Sequence, residues 1–177
     1  DATEALMKAH GLSADQIANV QINTFEESAC LFPGMPSTTS EAQYSLAFAV
    51  AVMLKDGHVG PQHVSGPALQ DPDTAAIVEK ITVREEPRHS ARFPEGRWSD
   101  VTITLKNGQR LESGDVHARG GPEAPMDPAE IKTKFETMTH AQLGAERSEA
   151  IWRAGQSLKE DGVLFSDLSK LVTGPVS

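Results

Sequence analysis

Between Thr38 and Gly60 the chain reads TTSEAQYSLAFAVAVMLKDGHVG: a polar start, an unbroken apolar run from Leu46 to Leu54, and a glycine stop. Ala42, Leu46, Ala49, Val50, Met53 and Leu54 fall on one helical face. Phe48, Ala51 and Val52 make the opposite face apolar too, so the pattern predicts one long helix buried on most sides. A sheet is expected against one face and another helix or a partner subunit against the other. Ser40 stands three residues before Gln43, the spacing of a capping box, and Gly57 suits the left-handed residue that closes a helix.

Period-2 alternation marks the strands. Val20, Ile22 and Thr24 alternate with polar neighbours over residues 17–25, and Ile81-Thr82-Val83 repeats the pattern until Glu86-Pro87 ends it. Val101, Ile103 and Leu105 alternate with Thr102 and Thr104 ahead of Asn107-Gly108, a hairpin turn. A two-residue turn would set Ile103 opposite Glu112 and mix the faces. A three-residue loop, Lys106-Asn107-Gly108, pairs Ile103 with Leu111, and burial selects that register.

Helical signals flank these strands. Residues 1–11 read as a helix already under way, with Leu6 and Met7 in its stripe and Gly11 as its stop; without an initiator methionine, a piece of a longer protein is expected. Asp71-Pro72-Asp73 opens a short helix through Ile77 and Val78. Leu31–Pro36 is a breaker-rich loop and residues 88–96 a charged one. Asp127-Pro128-Ala129-Glu130 is a capping box that opens a helix facing Ile131, Phe135 and Met138 inward. A further helix is expected from about His140 to Glu160, striped by Leu143, Ile151, Ala154 and Leu158, with a short turn over Ser166–Val172. The predicted fold is α+β: a roughly four-stranded, largely antiparallel sheet with helices on one face. Residues 1–138 form its α+β domain and residues 139–177 a helical C-terminal extension.

Composition narrows the function classes. A formal charge of −9 with no Lys/Arg run gives no footprint for nucleic acid or an anionic membrane. No apolar run approaches the ~18 residues of a membrane span. The single cysteine, Cys30, excludes an internal disulfide and fits a reducing, cytoplasmic setting. Chemical motifs are scarce. His58 and His63 stand five apart across a Gly-Pro turn and read as surface loop rather than metal ligands. Glu85 and Glu86 are adjacent, so they point to opposite sides. Arg88, Arg92 and Arg97 either grip a carboxylate together or pair with Glu95 or Asp100.

One resemblance organises the rest. Glu41-Ala42-Gln43-Tyr44-Ser45-Leu46 with the apolar helix and Asp56-Gly57, then Val101–Leu105 with Asn107-Gly108, Gly120-Gly121-Pro122, Pro125-Met126-Asp127-Pro128 and Lys134-Phe135, together resemble the MmgE/PrpD family over about residues 1 to 160. That family includes 2-methylcitrate dehydratase, cis-aconitate decarboxylase and iminodisuccinate epimerase. No metal site is expected in this chain, and the resemblance implies a two-part, cofactor-free enzyme of small polycarboxylates, usually a homodimer, with a helical N-terminal domain and an α+β C-terminal one. This chain resembles only the second part, so no catalytic residue is expected in it. Ser40, Gln43 and Ser45, at the start of the long helix, are the expected substrate-binding residues; the competing reading is that Ser40 and Gln43 only cap each other. A non-catalytic dimerisation or binding module with the same fold is the alternative function.

Overall fold

The computed structural model describes residues 1–175, so the last two residues of the expected extension lie outside the described residues. By compactness the chain divides after Pro125. The boundary expected at residue 138 falls inside a helix of the second unit.

In the first unit, helix α1 (Ala2–His10) ends at Gly11, which takes φ +59°. Strand β1 (Ile17–Thr24) buries Ile17, Val20, Ile22 and Thr24. The short helix α2 (Glu26–Ala29) follows, then the loop over Leu31–Pro36. Next come α3 (Thr39–Gln43), α4 (Leu46–Asp56), α5 (Pro72–Val78), β2 (Ile81–Glu85), α6 (Pro87–Ser90), β3 (Trp98–Leu105), β4 (Arg110–Glu112) and β5 (Val116–His117). The sheet runs β2-β1-β3-β4, and β5 pairs with β3. Among the described residues, only the β1–β2 pair is parallel. The intervening helices make that crossover possible, since parallel neighbours need a long connection.

The hairpin has the predicted register: Ile103 lies opposite Leu111 and Thr102 opposite Glu112. Gly108 adopts φ +87° and donates to the Leu105 carbonyl at 2.9 Å. Burial fixes this phase, because Ile103 and Leu111 share the inner face with Val101 and Leu105.

The expected single helix from Ser40 is instead two. The chain breaks at Tyr44–Ser45, where the Ser45 hydroxyl accepts the Phe48 amide at 3.2 Å and starts α4 afresh. The Tyr44 carbonyl accepts the Phe32 amide at 2.9 Å instead of continuing a ladder. Serine competes with the helix for backbone groups in this way. The capping box of α3 is also shifted by two residues: Thr38 accepts the Glu41 amide at 3.2 Å while Glu41 accepts the Thr38 amide at 3.1 Å. Gly57 closes α4 at φ +72°, as its position predicts.

The core is one contiguous cluster. Phe48, Ala51, Val52 and Leu54 of α4 join Val20, Ile22, Val101 and Ile103 of the sheet, and α1 and α5 flank α4. Asp71 caps α5 through the Thr74 amide at 3.1 Å and also binds the Thr74 hydroxyl and the Lys55 ammonium, tying α5 to the end of α4. Those partners, Lys55 first, hold its carboxyl down at about 2. Residues 88–96 begin as helix α6 rather than as a loop alone, with Pro87 at its first position.

The second unit contains α7 (Pro128–Leu143), α8 (Ala145–Ser157) and α9 (Phe165–Thr173). The capping box at Asp127 forms as predicted, with both the Ala129 and Glu130 amides on its carboxylate. The break to α8 comes at Gly144 (φ +75°, ψ 160°) rather than near His140. Phe135 meets Trp152 of α8 at 5.4 Å between ring centroids. Ile131 and Met138, expected inward, are 46% and 47% exposed, because these three helices enclose no apolar centre of their own; Ser148 is the only buried residue among those described in this unit. Arg147 donates to the carbonyls of Leu171, Gly174 and Pro175 and so closes the C-terminus of α9. No helix among the described residues is long and apolar enough to cross a membrane.

Two outcomes follow. Ile103→Ala, at a fully buried position, should cost about 2–5 kcal/mol in denaturant unfolding with the m-value unchanged. Because Asp71 is more acidic folded than unfolded, the unfolded chain takes up its proton first. Its contribution is complete above pH ~4 and lost as pH falls towards ~2. Asp71→Asn keeps an N-cap oxygen but should flatten that stretch of the thermal-stability profile.

Candidate functional site

The α3–α4 junction is the first candidate region, since the sequence nominated it. Ser40 is exposed on α3, Gln43 is exposed at its last turn, and Tyr44 is 60% exposed beside them. Ser45 is different: 3% exposed, its hydroxyl spent on the Phe48 amide, with the Gly34 carbonyl 3.4 Å away. Its position is that of a cap. Ser40 and Gln43 do not form the capping box considered for them, which belongs to Thr38 and Glu41. Next to the junction a cavity of about 350 Å³ opens between the Leu31–Met35 loop, Leu46 and Ala47 of α4, the end of α5, and Ile81 and Val83 of β2. Its lining is mostly apolar, with Ser28 and Glu79 as the polar side chains.

A second constellation lies across the sheet. Alternation puts Asn23 and Asp100 on the outer face, opposite Val101 and Ile103. Helix α6 brings His89 to that face, fully buried, with Nε2 2.8 Å from Asp100 Oδ2. Arg92 Nη2 stands 2.6 Å from His89 Nδ1. A guanidinium only donates, so Nδ1 is the acceptor and Nε2–H donates to Asp100. Asp100 also accepts from Asn23 at 2.8 Å and from Arg88, while Asp115 accepts from Arg92 at 2.7 Å and from Arg88. The arginines, Arg92 first, hold the Asp115 carboxyl below its ordinary range, and Asp115 raises Arg88 in turn. Arg92 also lies 4.6 Å over the Trp98 ring. Ligand atoms of His89, Asp100 and Asp115 approach within 4.8 Å of one another. Two guanidinium cations already balance the two carboxylates, so the donor chemistry is that of an ion-pair network rather than a divalent-cation site.

The remaining sequence candidates are local. Arg88 and Arg92 pair with Asp100 and Asp115 rather than with Glu95, and Arg97 sits 5.7 Å from the Phe93 ring. Glu85 accepts the Ser90 hydroxyl at 2.7 Å, and Glu86 lies 3.8 Å from Arg88. His63 accepts the Gly60 amide at Nδ1 and sets Nε2 3.5 Å from Asp56. Cys30 is exposed. The sequence offers Asp100 as a partner for the arginines, but its meeting with His89 and Asp115 leaves no periodic signal in the sequence, because the three come from segments with no common spacing. The outward phase of Asp100 on β3 was the one available signal.

These features define an α+β domain whose helix layer covers one face of a mixed, open-edged sheet, with a cavity at the edge strand and a polar network on the outer face. The sequence model described as the MmgE/PrpD C-terminal domain matches residues 1–160, and the chain belongs to that family. No curated protein matches it.

Asp100→Asn leaves the buried His89 facing a neutral amide and removes the charge paired with the half-exposed Arg88. It should lower the unfolding free energy by about 2–4 kcal/mol, read by denaturant titration. Ser45→Ala should cost about 1 kcal/mol, the loss of one N-cap.

Proposed function

We propose that this domain serves a cofactor-free lyase or epimerase of small polycarboxylates, as the C-terminal partner of a helical domain that carries the acid and the base. The observation behind the reading is membership of the MmgE/PrpD family across residues 1–160. In this chemistry a base removes a proton α to a carboxylate, and an acid assists departure of hydroxide or returns a proton to the carbanion. Donors must also hold the carboxylates and the enolate-like charge. The part assigned to this chain is the α3–α4 junction. Ser40 and Gln43 offer an exposed hydroxyl and amide, and Ser45 fixes the start of α4, whose dipole favours an anion. A homodimer of the two-domain protein belongs to the same reading.

The test is turnover of 2-methylcitrate and cis-aconitate by the 177-residue chain, alone and joined to the helical domain of a family member. No turnover is expected from the chain alone and measurable turnover from the joined protein. In the joined protein, Ser40→Ala and Gln43→Ala should each raise KM roughly tenfold, one hydrogen bond to a charged group, with kcat and melting temperature little changed. Turnover by the isolated chain would overturn the proposal.

A further inference from the structure

Among the described residues, the sheet order leaves one long side of β2 without a strand partner. The phase of the parallel ladder decides which backbone groups face that side. The Val20 amide donates to the Lys80 carbonyl at 2.9 Å and the Glu86 amide to the Thr24 carbonyl at 2.8 Å, with Val20 opposite Ile81 and Thr24 opposite Glu85. The even-numbered residues of this stretch therefore bond to β1. The amides and carbonyls of Ile81, Val83 and Glu85 turn to the open edge. No backbone group of another described segment pairs with them.

The same strand walls the cavity. Ile81 and Val83 direct their side chains to the helical side, where Phe32, Leu46, Ala75 and Val78 complete an apolar space of about 350 Å³. Neighbouring strands lie ~4.8 Å apart, so the inward side chains of a strand added beside β2 would enter that space. The surroundings carry a sign. Glu79 lines the cavity and makes no ion pair among the described residues, Glu85 shares the inward phase, and Glu26 and Glu27 sit on α2, which packs against β2. Alternation puts Lys80 and Arg84 on the opposite face.

We infer that the open edge of β2 and its cavity form a docking site for an extended segment of a partner protein, in which an apolar side chain has lysine or arginine two residues away on the same face. The segment adds to the sheet as a further strand: backbone pairing to Ile81, Val83 and Glu85 supplies affinity, and the cavity and Glu79 supply selectivity. A second copy of this chain fits worse, because a formal charge of −9 on each copy and facing carboxylates at the edge repel.

The probe is a labelled seven-residue peptide, Thr-Lys-Thr-Val-Thr-Lys-Thr, whose valine and lysines share one face, compared by fluorescence anisotropy on the full chain with its counterpart bearing glutamate in place of lysine. The basic peptide should bind at least tenfold more tightly than the acidic one and slow amide exchange at Ile81, Val83 and Glu85. Val83→Pro removes only an outward-facing donor, a substitution that edge strands tolerate, and should weaken binding at least tenfold. Ala75→Leu, which fills the cavity, should do the same, and Glu79→Lys should abolish the preference for the basic peptide. Unchanged melting temperature in Ala75→Leu and Glu79→Lys keeps the test valid if Val83→Pro fails to fold. Equal binding of both peptides, or indifference to Ala75→Leu and Glu79→Lys, would overturn the inference. So would a concentration-dependent dimer that Val83→Pro abolishes, which would assign the edge to a second copy.

Discussion

The first unit depends on the packing of α4 over the centre of the sheet. Ala51 and Ile103 are both fully buried, and Phe48 and Val52 fill the space beside them. A helix as apolar as Leu46–Leu54 gains roughly 25 cal/mol for each Å² it removes from water, and no single neighbour can cover all its faces. The sheet takes one side, while α1 and α5 flank the others. Helices α4 and α5 both lie between β1 and β2 in the chain, so these strands are joined by a long crossover and lie parallel. The open outer edge of β2 is a consequence of the same arrangement.

The two faces of the sheet are held by different physics. The inner face is closed by burial of Val20, Ile22, Val101 and Ile103. The outer face is held by charge-assisted hydrogen bonds that converge on Asp100 and Asp115. Burying His89 there is tolerable because both ring nitrogens have partners and the carboxylates are matched by Arg88 and Arg92. His117 is the exception on this side: its Nδ1 is buried with no partner among the described residues. The network anchors the segment from Glu86 to Trp98 onto β1 and β3, and so fixes the exit of the chain from β2.

The second unit shows the limit of local signals. Capping chemistry at Asp127 and the Gly144 break define its helices clearly. Yet Leu164, Phe165 and Val172 are more than half exposed. Amphipathic spacing says which residues share a face; it does not say that the face is covered.

Much of the fold was legible along the chain. The strands over residues 17–25, 81–83 and 101–105, the hairpin register and the Gly11 and Gly57 stops all rest on interactions within a few residues or on burial, which the period-2 and period-3.6 patterns encode directly. Three things required tertiary structure. The split at Ser45 depends on a distant loop supplying Phe32 to take the Tyr44 carbonyl. The parallel pairing of β1 with β2 depends on where α4 and α5 pack. The His89–Asp100–Asp115 cluster joins groups up to 26 positions apart from separate elements. The sequence by itself determined the elements and the family. Only the fold decided which polar groups meet and which strand edge stays open, because those outcomes follow from contacts between segments whose separation leaves no periodic trace.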